Sequence, residues 1–85
     1  MMQLLYERNS FEEIVERIKD VISKDYNRRI YDKDVAKELN LKPITVTIYK
    51  STNRLPLNNL AYFCKKRQVS LDWLLFDKSF IKKSL

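Results

Sequence analysis

The chain contains no glycine among its 85 residues, and this absence limits both its turns and its chemistry. Neither of the glycine-rich phosphate loops, GxxxxGK[ST] and GxGxxG, can be present. A helix that ends in a left-handed residue must use another residue type there, and asparagine is the usual second choice. Asn40, which follows a short apolar helical stripe, is the residue we expect in that position.

Histidine is also absent, and Cys64 is the single cysteine. These counts exclude zinc fingers, histidine metal sites and Cys–His or Ser–His–Asp catalysis, so we expect a protein that is not an enzyme and has no metal or cofactor. A lone cysteine forms no internal disulfide, which suits a reducing cytosol, and Cys64 is expected in the core. The apolar runs are far shorter than the roughly 20 residues of a membrane helix, and a cytoplasmic protein with no membrane contact is predicted.

Apolar residues recur at helical spacing, and the length permits one small domain over residues 1–85, with a core at about 11–76. Ser10 and Glu13 form the pattern of a capping box, and Pro43 suits the first position of a helix. The β-branched run after Pro43 would by itself favour a strand, but the flanking helices and the turn spacing favour a helix.

The sequence therefore predicts an all-α fold. The expected helices cover residues 11–24, a short stretch from the N-cap Asp32 to just before Asn40, and residues 43–51, 57–67 and 71–76. The expected apolar stripe of the fourth helix is Leu57, Leu60, Ala61 and Cys64.

The basic excess is concentrated in one part of the chain. The 17 Lys and Arg residues outnumber the 11 Asp and Glu residues, for a net charge of +6, and residues 39–71 contain no acid. The cations of this segment are Lys42, Lys50, Arg54, Lys65, Lys66 and Arg67. Such a segment attracts polyanions, nucleic acid first and an acidic membrane second, but a solvated basic face without a partner would have the same composition.

The second and third predicted helices have the arrangement of a helix-turn-helix, two short helices joined by a three-residue turn. Ala36 is small at the position where the helices must cross closely, and Asn40 follows four residues later at the turn. Val46 and Tyr49 then face back onto the second helix. The small residue, the turn residue and the two inward apolar residues are all in register.

Three segments resemble the lambda-repressor-like helix-turn-helix domain. Asp34 to Leu41 (DVAKELNL) and Arg54 to Pro56 (RLP) are similar to that family in general, and Val69 to Leu75 (VSLDWLL) is similar to the DNA-binding domain of phage repressors. The resemblance covers about residues 11–76. It implies a five-helix bundle whose third helix enters the major groove of double-stranded DNA, and thus a sequence-specific transcriptional regulator, most closely a repressor.

A helical wheel with Val46 and Tyr49 inward assigns the remaining side chains of the third helix. Those expected to contact bases are Ile44, Thr45, Thr47, Ile48 and Ser51, with Thr45 at the side. Those expected to contact phosphates are Lys33, Lys42, Lys50, Arg54 and Asn58.

Two further expectations concern protein partners. Ile44 and Ile48 could instead complete an apolar contact, in the core or with another protein, and the chain would then be an interaction module such as an adaptor or an antitoxin. One recognition helix covers few base pairs, so specificity usually requires two half-sites, and a homodimer is predicted. The apolar residues left over for its interface are Leu4, Leu5, Phe80, Ile81 and Leu85.

Overall fold

The computed structural model describes residues 7–77, and this part of the chain is helical without any β-strand. It contains five α-helices and one short 3-10 helix. They are α1 (Phe11–Ile22), the 3-10 helix (Ser23–Asp25), α2 (Asp32–Glu38), α3 (Pro43–Thr52), α4 (Leu57–Arg67) and α5 (Leu71–Phe76). The all-α prediction is confirmed. The apolar terminal residues proposed for a dimer interface, namely Leu4, Leu5, Phe80, Ile81 and Leu85, lie outside the described residues.

Helix α1 supplies much of the core because its apolar residues recur on one face. Its N-terminus is capped by side-chain hydrogen bonds. The Ser10 hydroxyl accepts a hydrogen bond from the Glu13 backbone N–H (3.1 Å), and the Glu13 carboxylate accepts one from the Ser10 N–H (3.0 Å), so the capping box is confirmed. The fully buried side chains of this helix include Phe11, Ile14, Val15, Ile18 and Ile22. Helix α1 packs on α2, α3 and α5.

Helix α2 ends as predicted, with Asn40 in the left-handed region (φ 59°). The Leu41 N–H donates to the Ala36 carbonyl (2.8 Å) and the Asn40 N–H donates to the Lys37 carbonyl (3.1 Å). These two bonds form a Schellman motif, which satisfies carbonyls that the helix end would otherwise leave open.

Helices α3 and α4 end in the same way, at residues that the sequence analysis did not single out. Asn53 (φ 54°) and Gln68 (φ 58°) take the left-handed position. The Arg54 N–H then donates to the Tyr49 carbonyl (3.0 Å), and the Val69 N–H donates to the Cys64 carbonyl (2.9 Å).

The β-branched segment after Pro43 is a helix, as predicted from its flanks. Pro43 occupies the first helical position, and the Thr45 and Val46 N–H groups both donate to the Lys42 carbonyl. Val46 is fully buried. Burial of one face and a preset first turn therefore outweigh the local preference for a strand.

Three sequence predictions about helix boundaries and faces are wrong. Helix α1 ends at Ile22 and not at residue 24, and Ser23–Asp25 form a 3-10 helix instead. Asp32 is the first residue of α2 and Tyr31 is its N-cap. The reason is Asp34, whose carboxylate accepts a hydrogen bond from the Tyr31 N–H (2.8 Å) and so fixes the helix start one residue earlier.

The third error concerns the buried face of α4. Leu57 is 52 % exposed and Ala61 is exposed, whereas Leu60, Phe63 and Cys64 are buried. Both sets have helical spacing, so periodicity alone does not choose between them. The tertiary structure turns the helix toward the face that buries the Phe63 ring, which removes far more apolar surface from water than the Ala61 methyl group.

Candidate nucleic-acid interface

The geometry of the candidate site depends on the packing of α2 against α3. These two helices share the most extensive contact between any two helices in residues 7–77. Ala36, at 1 % exposure, lies in the core on α2, and Val46 is fully buried on α3. Tyr49 packs edge-on against Phe11 of α1, with ring centroids 6.3 Å apart. Val46 and Tyr49 thus fix the rotation of α3 about its own axis.

The opposite side of α3, which we call the outward face, consists of Ile44, Thr45, Thr47, Ile48 and Ser51. Ile44 is 60 % exposed and Ile48 is 47 % exposed. Thr47 and Ser51 are exposed, and Thr45 is half-buried at the edge. The structure therefore brings the five predicted base-contacting residues together on one side of one helix, with the orientations that the helical wheel gave.

Two hydroxyls of the outward face, those of Thr47 and Ser51, donate their protons to backbone carbonyls of α3 itself. The Thr47 hydroxyl donates to the Pro43 carbonyl (3.3 Å), and the Ser51 hydroxyl donates to the Ile48 carbonyl (2.9 Å). The Thr47 and Ser51 side chains therefore present oxygen lone pairs, and not O–H donors, to the outside. In this arrangement the two residues can accept hydrogen bonds from an external N–H group, while Ile44 and Ile48 offer only methyl and methylene surface.

Four of the predicted phosphate-contacting residues, Lys33, Lys42, Arg54 and Asn58, are exposed around this helix. Lys42 precedes α3, Arg54 follows it, and Lys33 and Asn58 lie in the first turns of α2 and α4. The Arg54 guanidinium lies 5.3 Å from the centroid of the Tyr49 ring, a cation–π contact that restricts its position. Lys42 and Arg54 therefore place an exposed positive charge at each end of α3.

Lys50, the fifth predicted phosphate contact, has an internal partner. Its ammonium group lies 2.8 Å from the Asp32 carboxylate, whose other oxygen lies 2.9 Å from Lys19. This bridge joins α3, α2 and α1. Partial burial disfavours the Asp32 charge, but the hydrogen bonds from Lys50 and Lys19 outweigh it and hold the pKa of Asp32 below its ordinary value. Lys50 would have to exchange Asp32 for a phosphate in order to bind one.

The basic segment is less basic in space than along the chain, because carboxylates from earlier helices reach it. Arg67 pairs with Glu38 (2.7 Å) and with Asp25, and Lys66 lies 3.4 Å from Glu38. The Arg67 hydrogen bond outweighs partial burial and holds the pKa of Glu38 below its ordinary value. Within residues 7–77, Lys42, Arg54 and Lys65 are the cations of the segment with no carboxylate at ion-pair distance.

Glu12 adds a negative charge at one side of the outward face. It is an exposed residue in the first turn of α1 and lines a shallow depression together with Asp32, Thr47, Lys50 and Ser51. The outward face is therefore bordered by exposed cations at the ends of α3 and by carboxylates along the α1 side.

Two residues that the sequence analysis left out of the site position α3. The Asn53 side-chain oxygen accepts a hydrogen bond from the Phe11 N–H (2.9 Å), and the Asn53 carbonyl accepts one from the Arg8 guanidinium (2.6 Å). These bonds join the end of α3 to the start of α1. An asparagine directly after the third helix was the available signal, since asparagine both tolerates the left-handed region and caps helices.

Comparisons of the chain with protein-family models, with curated proteins and with solved structures found no match. Across residues 7–77, none of the helices combines the length and the apolar character needed to cross a membrane. The same residues contain no cluster of three or more His, Cys, Asp or Glu side chains arranged to hold a metal ion.

Proposed function

We propose that the protein is a sequence-specific double-stranded-DNA-binding transcriptional regulator, a phage-repressor-like repressor with a lambda-repressor-like helix-turn-helix. The observation that most supports this proposal is the outward face of α3. Its small and apolar side chains are exposed, while the opposite side of the helix packs into the core. An α-helix fits the major groove of B-form DNA, where base edges can be read.

The composition of the outward face determines what it could recognise. Ile44 and Ile48 cannot form hydrogen bonds, so the base feature they favour is the C5-methyl group of thymine. Thr47 and Ser51 present oxygen lone pairs, which match the exocyclic amino groups of adenine and cytosine. No Arg, Asn or Gln lies on this face for a bidentate base contact, and specificity is therefore expected to be modest.

A thymine-methyl test addresses this readout. Duplexes that bind are first selected from a random pool, and uracil then replaces single thymines within the selected site. We expect the loss of the methyl group opposite Ile44 to weaken binding by about 1 kcal/mol, the order of one buried methyl group. Ile44→Ala should remove most of that difference, because the methyl group then has no partner.

Leu57→Ala is the control for this test, since Leu57 is comparably exposed but lies on α4. It should leave the thymine-to-uracil difference unchanged. Binding should also weaken steeply with salt, because each neutralised phosphate releases counterions, and Lys42→Ala or Arg54→Ala should lower affinity for all sequences alike. An affinity for DNA that does not respond to salt would contradict the electrostatic part of the proposal.

The second candidate function is a protein-interaction module, as in an adaptor or an antitoxin. It is favoured by the exposure of Ile44 and Ile48 and by the internal pairing of Lys50 and Arg67, which lowers the free positive charge of the basic segment. An apolar protein contact would show little salt dependence. Loss of a protein partner with Ile44→Asp, together with no effect of uracil substitution on any DNA complex, would favour this function over the first.

A further inference from the structure

Apolar and hydroxyl side chains are paired along the outward face of α3. Thr47 follows Ile44 by three residues, and Ser51 follows Ile48 by three residues. Side chains three residues apart are neighbours on the surface of a helix, so each of the two exposed isoleucines has a hydroxyl oxygen beside it. The outward face therefore repeats one unit twice, and this unit is an apolar surface next to a hydrogen-bond acceptor.

The polar groups on the α1 side of these units are acceptors as well. The Thr47 and Ser51 hydroxyls have already donated their protons to backbone carbonyls. Glu12 lines the same shallow depression, is exposed, and has no cation at ion-pair distance among residues 7–77. Lys50 is the one cation in this lining, and its ammonium group is engaged by a carboxylate of α2. This side of α3 therefore favours a ligand group that donates hydrogen bonds and disfavours one that only accepts them.

The ordinary pyrimidines each match one half of this unit in the major groove. Thymine has the C5-methyl group that suits isoleucine, but the group beside it is the O4 acceptor. Cytosine has the N4 amino donor that suits a hydroxyl lone pair, but it has no methyl group. 5-Methylcytosine matches both halves, because it carries the methyl group of thymine and the amino group of cytosine on adjacent ring atoms.

We infer that the outward face of α3 recognises 5-methylcytosine, so that the protein binds C5-methylated duplex DNA more tightly than the unmethylated duplex of the same sequence. This inference rests on the proposed function and names the modified base that the site reads. Ile44 and Ile48 pack on the C5-methyl group, and the oxygen of Thr47 or Ser51 accepts a hydrogen bond from the N4 amino group. The negative charge of Glu12 on the same side favours this amino donor over the O4 acceptor of thymine. Thymine satisfies the apolar half alone and is therefore the second-best base.

The test uses the full chain and compares four bases at each pyrimidine position of the selected duplex. Thymine and uracil are paired with adenine, and 5-methylcytosine and cytosine are paired with guanine, so that each pair of duplexes differs by one methyl group. We expect the methyl group to raise affinity about fourfold in both comparisons at the positions opposite the isoleucines, the order of one buried methyl group. 5-Methylcytosine should also exceed thymine there by roughly fivefold, the order of one hydrogen bond. Fluorescence anisotropy measures these affinities.

A second selection checks the same preference without a chosen duplex. A random pool is made with 5-methylcytosine in place of every cytosine, and the bound sequences are compared with those from the ordinary pool. We expect the methylated pool to return 5-methylcytosine at positions where the ordinary pool returns thymine.

Variants assign each effect to a side chain, and each affinity ratio is taken within one variant, so that a change in the folded fraction cancels. Ile44→Ala combined with Ile48→Ala should remove the methyl effect for both pyrimidines. Thr47→Val combined with Ser51→Ala should keep the methyl effect and remove the advantage of 5-methylcytosine over thymine. Ser23→Ala is the matched control, because Ser23 is also an exposed serine whose hydroxyl donates to the carbonyl three residues before it, but it lies after α1. It should change neither ratio.

Three results would overturn the inference, and they differ in what they leave standing. If wild type binds the selected duplex but 5-methylcytosine exceeds neither cytosine nor thymine at any position, the outward face does not read the modified base, while the proposed function stands. If the gain from 5-methylcytosine survives Ile44→Ala combined with Ile48→Ala, methylation acts through the shape or stiffness of the duplex and not through the outward face. If wild type binds no duplex DNA, methylated or unmethylated, the proposed function fails and the inference fails with it.

Discussion

Asn40, Asn53 and Gln68 adopt left-handed conformations that most proteins give to glycine. This conformation costs a residue with a Cβ atom roughly 1–2 kcal/mol, and it costs asparagine less than most because its side chain forms local hydrogen bonds. The side chains differ in the bonds they add. Asn53 bonds the first N–H of α1 through its side-chain oxygen, whereas Asn40 contributes backbone bonds only in the described structure.

This difference predicts opposite effects of the same substitution. Asn40→Gly should be neutral or mildly stabilising, and Asn40→Val should cost about 1 kcal/mol or more. Asn53→Gly should destabilise, because the Phe11 N–H loses its acceptor, and this loss of about 1–3 kcal/mol outweighs the relief of backbone strain. Urea unfolding of the variants checks all of them, and equal stabilities of Asn40→Val and Asn40→Gly would contradict the role given to the turn.

The Asp34 carboxylate predicts how stability depends on pH. The bidentate hydrogen bonds from Arg28, supported by the Tyr31 N–H, hold the pKa of Asp34 far below its ordinary value of 3.8. A group whose pKa is lowered by folding stabilises the fold above its unfolded pKa, and this contribution is lost as the pH falls. Wild type should therefore lose stability below about pH 4.

Asp34→Asn isolates this contribution. The variant should melt at a lower temperature than wild type at pH 7, because Arg28 loses its charged partner, and the gap should narrow as the pH falls through 4 toward 2. Asp72→Asn, which changes an exposed carboxylate on α5, should leave the melting profile close to that of wild type. A gap that stays constant between pH 7 and pH 2 would show that Asp34 acts through something other than its charge.

Helices α1, α2 and α3 are joined at their polar edges by the Lys19–Asp32–Lys50 bridge. The bridge is partly exposed, so its contribution to the free energy of unfolding is expected to be small. Its main consequence is for the candidate site, since the Asp32 carboxylate competes with any phosphate for Lys50. Whether Lys50 can bind a phosphate therefore depends on its ion pair with Asp32 of α2, and not on the charge of Lys50 alone.

Asp32→Asn should therefore strengthen duplex binding and steepen its salt dependence, by about 0.9 in the slope if Lys50 gains one phosphate. Asp72→Asn serves as the control, because it removes one negative charge from α5 and leaves the bridge intact. Fluorescence anisotropy across salt concentrations measures both quantities. Unchanged affinity and slope in Asp32→Asn would show that Lys50 does not contact DNA.

The whole molecule, as far as residues 7–77 show it, is one apolar core with α3 displayed on its surface. Under the proposed function α3 would present few side chains to a groove, and its outward face lacks residues for bidentate base contacts. Two copies on half-sites about 34 Å apart would supply the missing affinity and specificity. The proposal of a homodimer depends on the apolar residues near the two ends of the chain, which include Leu4, Leu5, Phe80, Ile81 and Leu85.

Light scattering of the full chain over a range of concentrations, with and without the selected duplex, tests this assembly. We expect a dimer that Phe80→Ser combined with Ile81→Ser converts to a folded monomer with weaker DNA binding. Phe76→Ser, a change to an exposed apolar residue at the end of α5, shows whether the effect is specific to those two positions. A monomer under every condition would contradict the proposal.

Features that depend on neighbours along the chain were predictable from the sequence. Each such feature follows from local hydrogen-bonding rules or from the helical period. They are the Ser10 capping box, Pro43 at the start of α3, Asn40 in the turn after α2 and the rotation of the outward face. The role of that face in binding DNA stays a prediction.

The sequence did not predict which of several similar residues forms an ion pair or becomes buried, because this depends on the packing of the helices. Arg28 and Arg29 are adjacent and alike in sequence, yet Arg28 alone meets the Asp34 carboxylate. The acid-free segment loses free charge to acids from earlier helices, and α4 buries Phe63 in preference to Leu57. These outcomes depend on how separate helices pack. Ion pairing and burial act between residues that are close in space but far apart in the sequence, so local sequence patterns do not predict them.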